Sequence, residues 1–216
     1  MTTTQGPPEF DAAFKKKFRE LVAWRRDVRR FRVEPVDRAL VADLIALATR
    51  APSVGFSQPW RFVSVESPAR RTAIAENFAN SNRMALEGYG GDRRTLYARL
   101  KLEGLARSPV HLAVFADDCV TSGAGLGRQT MPETIRYSVV AAVHTFWLAA
   151  RCEGLGVGWV SILDPIAATS TLDVPTTWSL VAYLCVGWPE EEHDDPELER
   201  LGWQARESGA SALLMR

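Results

Sequence analysis

The sequence lacks three features that would each indicate a particular class of protein. Its 26 basic and 26 acidic residues balance, so it has no overall positive charge with which to hold a nucleic acid. Its three cysteines are widely separated and form no Cys-x-x-Cys pair, which argues against a disulfide framework or a zinc site. It has no basic-then-apolar leader and no apolar run long enough to cross a bilayer. These absences predict a protein of the reducing cytoplasm that works without nucleic acid, metal or membrane.

The apolar pattern over the 216 residues predicts one domain built around one sheet. Helical periodicity is commoner than strand alternation, and the strands occur singly between helices, so we expect a mixed central sheet flanked by helices in an α+β or α/β fold. Strands are predicted at residues 61–66, 110–115, 154–163 and 179–188. A helix over 133–153 is apolar on nearly every side, as expected of a helix that is buried centrally or shared with a second subunit. Residues 1–9 are expected to be a flexible N-terminal segment.

Residues 25–32, with the sequence RRDVRRFR, place five arginines and one aspartate between two helical patterns. Arginine binds phosphate bidentately and keeps its charge, so such a cluster suits an anion. We expect the neighbouring cations to lower the pKa of Asp27 and hold it ionised, ready to accept a proton. The alternatives are a solvated basic turn with local ion pairs and a nucleic-acid patch, of which the second is disfavoured by the balanced charge.

Two further segments are candidates for lining a pocket. In the loop 51–60, Ser53 and Gln58 can bond a polar ring edge, although an ordinary helix-to-strand connection explains the loop equally well. Alternate glycines at 154, 156 and 158 leave room for a flat ligand or for close packing of the preceding helix. A lone Ser161 and a strand-initial His111 are usually structural. The acidic run 190–195 is interpreted as a solvated loop.

Taken together, three motifs resemble the FMN-binding nitroreductase family: residues 25–31, residues 51–60 and residues 154–159. The resemblance covers nearly the whole chain. Asp27 stands where the common pattern has a serine, and this position, with residues 127–134 and 159–165, resembles the branch of the family that makes 5,6-dimethylbenzimidazole.

The resemblance implies an α+β homodimer with two flavins at the subunit interface. It also implies an enzyme that uses dioxygen to fragment reduced FMN to 5,6-dimethylbenzimidazole, the lower ligand of cobalamin, with erythrose 4-phosphate and dialuric acid as co-products. A flavin reductase would supply the reduced FMN. The alternative is an NAD(P)H-dependent FMN nitroreductase or quinone reductase, which would share the same pocket.

The same resemblance implies the site residues. Arginines hold the flavin phosphate and ribityl chain, Asp27 acts as the catalytic base, and the Ser161 hydroxyl hydrogen-bonds the flavin. The expected flavin-binding residues are Arg25, Arg26, Asp27, Val28, Arg29, Ser53, Gln58, Pro59, Gly158, Trp159, Ser161 and Arg206.

Overall fold

The computed structural model describes residues 6–207 and 213–215. Within these ranges the chain forms seven α-helices and four β-strands. The helices are α1 (Ala12–Trp24), α2 (Arg38–Ala48), α3 (Pro68–Glu87), α4 (Gly91–Arg99), α5 (Thr134–Cys152), α6 (Pro165–Leu172) and α7 (Glu197–Arg200). The strands are β1 (Trp60–Ser64), β2 (Val110–Asp117), β3 (Gly156–Val160) and β4 (Trp178–Gly187). Of the predicted N-terminal segment, residues 1–5 lie outside the described ranges, and residues 6–9 are exposed without regular structure.

Side-chain caps explain where several helices begin. The Asp11 carboxylate accepts a hydrogen bond of 2.7 Å from the Phe14 amide at the start of α1, and Asp37 and Ser67 cap α2 and α3 in the same way. Asp164 caps α6, whose first residue is Pro165. α6 was not predicted from the sequence, although an aspartate followed by proline, Asp164 and Pro165, was the available signal.

The four strands form one antiparallel sheet in the order β1-β2-β4-β3. All four predicted strands are confirmed, and the α+β class is confirmed with them. The expected mixed sheet is corrected, because parallel pairing within the described ranges is limited to an isolated bridge between Asp27 and Val157. Helices between strands suggested parallel pairing, but β2 and β3, which α5 connects, do not pair with each other. Both pair antiparallel with β4, which lies between them.

Each face of the sheet is covered by its own hydrophobic cluster. On one face α2 and α5 pack over the sheet, and α5 buries Val139, Val143 and Phe146 completely. On the other face, α3 and α6 pack with Phe31, which is also completely buried. The long helix expected at 133–153 is confirmed as α5, but Tyr137 and Val140 on its outer side are exposed. No helix in the described part of the chain is long and apolar enough to cross a membrane.

Candidate active site around Asp27

The arginine-rich segment runs alongside β3 after α1 ends. The Val28 amide donates a hydrogen bond of 3.0 Å to the Val157 carbonyl. Glycine makes this approach possible, because a Cβ atom at Gly158 would lie 2.2 Å from the Val28 carbonyl oxygen and one at Gly156 would lie 2.7 Å from the Val28 side chain. Gly156 and Gly158 therefore accommodate the arginine-rich segment itself, whereas the sequence had suggested a flat ligand or close packing of the preceding helix.

The docked segment presents the Asp27 carboxylate to three donors. Oδ1 accepts a 2.9 Å hydrogen bond from the Trp159 amide. Oδ2 lies 2.9 Å from both Nε and a terminal nitrogen of Arg29. The Asp27 side chain keeps 31% of its surface exposed, so the carboxylate is fixed on two sides and open on a third.

The expected direction of the Asp27 pKa is corrected by its surroundings. Removing the carboxylate from bulk water raises its pKa above the ordinary aspartate value, and this effect exceeds the opposing attraction of Arg29 and the hydrogen bond from Trp159. The sequence showed the neighbouring cations but not the burial. A raised pKa makes Asp27 a better proton acceptor than an ordinary aspartate.

Arg29 is held away from solvent by carboxylates and a carbonyl. Its side chain is only 11% exposed, and it contacts Asp27, the Lys101 carbonyl oxygen at 3.0 Å and Glu197 Oε2 at 3.4 Å. Glu197, at the start of α7, is also 11% exposed, and its Oε1 lies 2.6 Å from Arg30. The donors of Arg29 are thus engaged within the protein, whereas our sequence analysis had assigned them to the flavin phosphate.

The other arginines assigned to the phosphate converge on a separate surface pocket. Arg25 lies over the Trp147 ring at 4.9 Å, and Arg26 donates to the Asp194 carbonyl oxygen. Arg206 lines the same pocket. Burial, followed by repulsion from Arg25 and Arg206, lowers the pKa of Arg26. Arg19 also lines this pocket, and so do the acidic residues Asp194, Asp195 and Glu199. Its arginines are the groups that can bind an anionic ligand such as a phosphate.

The C-terminal tail that carries Arg206 is anchored by aromatic contacts. The Trp203 ring packs edge-on against Tyr89 and Tyr97 at centroid distances of 5.5 and 6.0 Å. Arg93 lies over the same indole at 4.8 Å and donates to the Trp203 carbonyl oxygen at 2.6 Å. The tail is therefore fixed where it passes the arginine pocket.

The loop expected to line the flavin ring is a strained turn. Ser53 Oγ accepts a hydrogen bond of 3.1 Å from the Gln58 amide, and Pro59 is buried beside it. Phe56 and Gln58 both have positive φ, at 55° and 49°, an unusual backbone conformation for residues other than glycine that often marks functional loops. The Val54 amide donates to Ser138 Oγ at 3.0 Å, which ties the turn to the first part of α5.

The two predicted halves of the pocket lie at different positions along α5. The turn at 53–59 is held at Ser138, whereas Arg25 and Arg26 contact Trp147. Nine residues of α-helix separate these contacts, a distance of about 14 Å along the axis. One protomer therefore does not bring Ser53, Gln58 and Pro59 into contact with the arginines.

Trp159 lies within β3, and Ser161 directly after it extends the site beyond the strand. The half-buried Trp159 ring packs near Trp147 at 6.4 Å, while its amide holds Asp27. Ser161 follows the last residue of β3 and is exposed. Sequence reasoning missed Glu197 and Trp147, which complete this region. Glu197 has no local signal, and Trp147 was interpreted only as part of an apolar helix.

Comparison with known proteins places these features in a family. The model of the Nitroreductase family matches residues 22–188. A protein of Rhodospirillum rubrum named 5,6-dimethylbenzimidazole synthase is 58% identical over 199 residues, covering 92% of this chain and 94% of its own. A protein of the same name from Rhodobacter capsulatus is 45% identical over 195 residues, covering 90% and 94%.

A solved structure of oxidized iodotyrosine deiodinase, bound to FMN and 3-iodo-L-tyrosine, is similar to this fold with a TM-score of 0.69. It is 26% identical, and the match covers 81% of this chain and 91% of that one. The resemblance drawn from the motifs is confirmed by these matches: the chain belongs to the nitroreductase family, and within it is similar to proteins named 5,6-dimethylbenzimidazole synthase.

Proposed function

We propose that the protein is a 5,6-dimethylbenzimidazole synthase, which consumes reduced FMN and dioxygen and releases erythrose 4-phosphate and dialuric acid as co-products. The observation that carries the proposal is the Asp27 carboxylate, which is fixed by Arg29 and the Trp159 amide and open on one side. The relatives of that name match over almost their whole length. The chemistry of a flavin reductase alone does not require such a carboxylate.

The residues present fit reduced FMN as the substrate. Arg25, Arg26 and Arg206 converge on one pocket and would hold the phosphate and the start of the ribityl chain. Ser53, Gln58 and Pro59 would line the ring, and Trp159 would lie beside it. When bound, reduced FMN would supply both the electrons that reduce dioxygen and the carbon atoms of the product.

Asp27 would act as the general base. The raised pKa of its carboxyl favours taking a proton from a bound substrate, and a positioned base commonly accelerates such a step by about 10²–10⁴-fold. Arg29 and the Trp159 amide restrain the carboxylate, so that its open side faces the ligand. The exposed Ser161 hydroxyl, two residues beyond Trp159, would hydrogen-bond the flavin.

A homodimer would complete the pocket. Because the turn at 53–59 and the arginines are about 14 Å apart along α5, a second protomer can contribute one of the two groups. The outer face of α1 supports this assembly, since Phe10, Phe14 and Phe18 form a ladder in which each ring is about half exposed. Such a contiguous apolar face is typical of a subunit interface.

The proposed reaction also requires a partner and a compartment. Each turnover consumes one reduced FMN, so a flavin reductase must supply it continuously. The three cysteines are free thiols, two of them exposed, which suits the reducing cytoplasm.

The test is aerobic incubation of the purified protein with chemically reduced FMN, followed by mass spectrometry for 5,6-dimethylbenzimidazole and erythrose 4-phosphate. Product is expected only with dioxygen present, and an anaerobic sample is the control. A parallel sample receives oxidized FMN, NADPH and a quinone. Quinone reduction without any dimethylbenzimidazole in the first sample would favour the reductase and contradict the proposal.

A further inference from the structure

Arg29 lies between two carboxylates at the centre of the proposed site. On one side its Nε and a terminal nitrogen each lie 2.9 Å from Asp27 Oδ2, and on the other its second terminal nitrogen lies 3.4 Å from Glu197 Oε2. Arg29 and Glu197 are each only 11% exposed, so bulk water screens their interaction weakly. The charge of Arg29 is therefore divided between Asp27 and Glu197.

Several other groups contribute to the electrostatics around Asp27. Arg25, in the same segment as Asp27, is a second cation whose charge opposes the rise in the pKa of Asp27. From β4 the Cys185 thiol faces it, and burial raises the pKa of that thiol so that it stays neutral. Lys101 and Glu103 form an ion pair of 3.3 Å in the connection beyond α4, and Arg30 binds the other oxygen of Glu197. Glu197 is thus the carboxylate that directly contacts the guanidinium bound to Asp27.

We propose that Glu197 is a positioning residue for Asp27: acting through Arg29, it fixes the guanidinium and offsets part of its charge, and thereby sets how readily Asp27 takes up a proton. Without Glu197 the full charge of Arg29 would act on Asp27 and hold it ionised, which would make it a weaker base. The inference rests on the proposed function for its catalytic meaning, but its electrostatic content concerns the protein alone.

The test measures the titration of Asp27 directly in the full-length protein without ligand. Aspartate is labelled with ¹³C at the carboxyl carbon, the NMR signals are followed over pH, and the Asp27 signal is identified by its loss in Asp27→Asn. In Glu197→Gln, which keeps the side-chain shape, the pKa of Asp27 is expected to fall by roughly one unit, the lower end of the effect of an adjacent arginine.

Glu191→Gln is the matched control. Glu191 lies six residues before Glu197, in the acidic run 190–195, and also binds Arg30, at 3.1 Å, but it is 46% exposed and does not contact Arg29. Its substitution is expected to leave the Asp27 titration at the parent position. An unchanged titration in Glu197→Gln, or equal shifts in both variants, would overturn the proposal.

Arg30→Gln provides an opposite-sign test that also applies if Glu197→Gln does not fold. Removing Arg30 leaves Glu197 free to neutralise Arg29 more fully, so the pKa of Asp27 should rise; a fall or no change would contradict the inference. In the complete reaction, the acid limb of the pH profile of product formation should move in the same direction as each titration. A parent protein that forms no product would refute the proposed function, whereas the NMR titration judges the role of Glu197 independently.

Discussion

Asp27, which is partly buried beside β3, and His111, which is fully buried within β2, are both ionisable, but their surroundings differ. Burial opposes charge on each, raising the pKa of Asp27 and lowering that of His111 to about 4. Asp27 has a cation, a backbone N–H and an open side. His111 is 1% exposed and shares one 2.9 Å hydrogen bond with the Tyr183 hydroxyl, while its Nε2 has no partner in the described ranges.

The difference separates a carboxylate suited to chemistry from an imidazole suited to packing. A group that can exchange protons with a ligand needs both stabilisation of its charge and access. Asp27 has both, whereas His111 is sealed and kept neutral. The sequence predicted a structural histidine with its hydrogen bonds satisfied; its burial agrees with that role, but Nε2 has no partner in the described ranges. The following substitutions test Asp27 and His111 separately.

The largest effect is expected for Asp27→Asn. Loss of the proposed base should lower product formation by roughly 10²–10⁴-fold while FMN binding changes little. Mass spectrometry of the product and fluorescence titration of FMN measure the two quantities. Asp43→Asn, on the exposed surface of α2, is the control, and near-normal turnover in Asp27→Asn would contradict the assigned role.

The same variant should not lose stability at neutral pH. Since the folded protein raises the pKa of Asp27, stability linked to Asp27 is fully present below its ordinary pKa and declines as pH rises through the raised value. The asparagine of the variant carries no charge, so the variant does not lose stability as the pH rises. Thermal unfolding of Asp27→Asn is therefore expected at or above the temperature of the parent, and clear destabilisation would show that the ion pair with Arg29 outweighs burial.

His111 should instead control stability in acid. Its pKa is lowered from 6.5 to about 4 in the folded protein. The stability that the neutral imidazole contributes is therefore complete above pH 6.5 and is lost as the pH falls towards about 4. The linked change is about 3 kcal/mol. Urea unfolding of His111→Asn over this pH range should lack that component, whereas His144→Asn, on the exposed side of α5, should behave as the parent does. Parallel curves for His111→Asn and parent would contradict this prediction.

Gly158→Ala should displace the arginine-rich segment that carries Asp27 without affecting the surroundings of His111. The added Cβ would lie 2.2 Å from the Val28 carbonyl oxygen, so the arginine-rich segment must move, at a cost of about 1–3 kcal/mol. Urea unfolding measures the loss, and a reduced rate of product formation should accompany it. Gly90→Ala is the matched control because nothing lies within 4 Å of its added Cβ; equal stabilities would show that the segment yields without strain.

The smallest effect is expected for Ser161→Ala, which tests the open side of the site. Loss of the proposed hydrogen bond to the flavin, worth about 1 kcal/mol, predicts roughly a fivefold change in the rate at which bound reduced FMN reacts with dioxygen. Stopped-flow absorbance measures this rate. Stability should be unchanged because Ser161 is exposed, and kinetics identical to those of the parent would remove Ser161 from the reaction.

The features that depend on local sequence patterns were predicted better than those that depend on contacts between residues far apart in the chain. Asp27 stands out in the sequence because its cations are its neighbours, and α5 and the four strands follow from apolar periodicity. The acidic run 190–195 was interpreted as a solvated loop, yet Glu191 and Glu192 pair with Arg30 and Arg151. These partners meet only after the C-terminal region docks. The burial that raises the pKa of Asp27 likewise depends on tertiary packing.

The ion pair between Arg29 and Glu197 joins residues 168 positions apart, and this span determines when the site can exist. During synthesis Asp27 is added well before Glu197, which follows it by 170 residues. A nascent polypeptide that has not reached Glu197 therefore carries the Asp27 carboxylate without the partner that restrains the Arg29 guanidinium. The proposed site is complete only once these two distant segments have packed together.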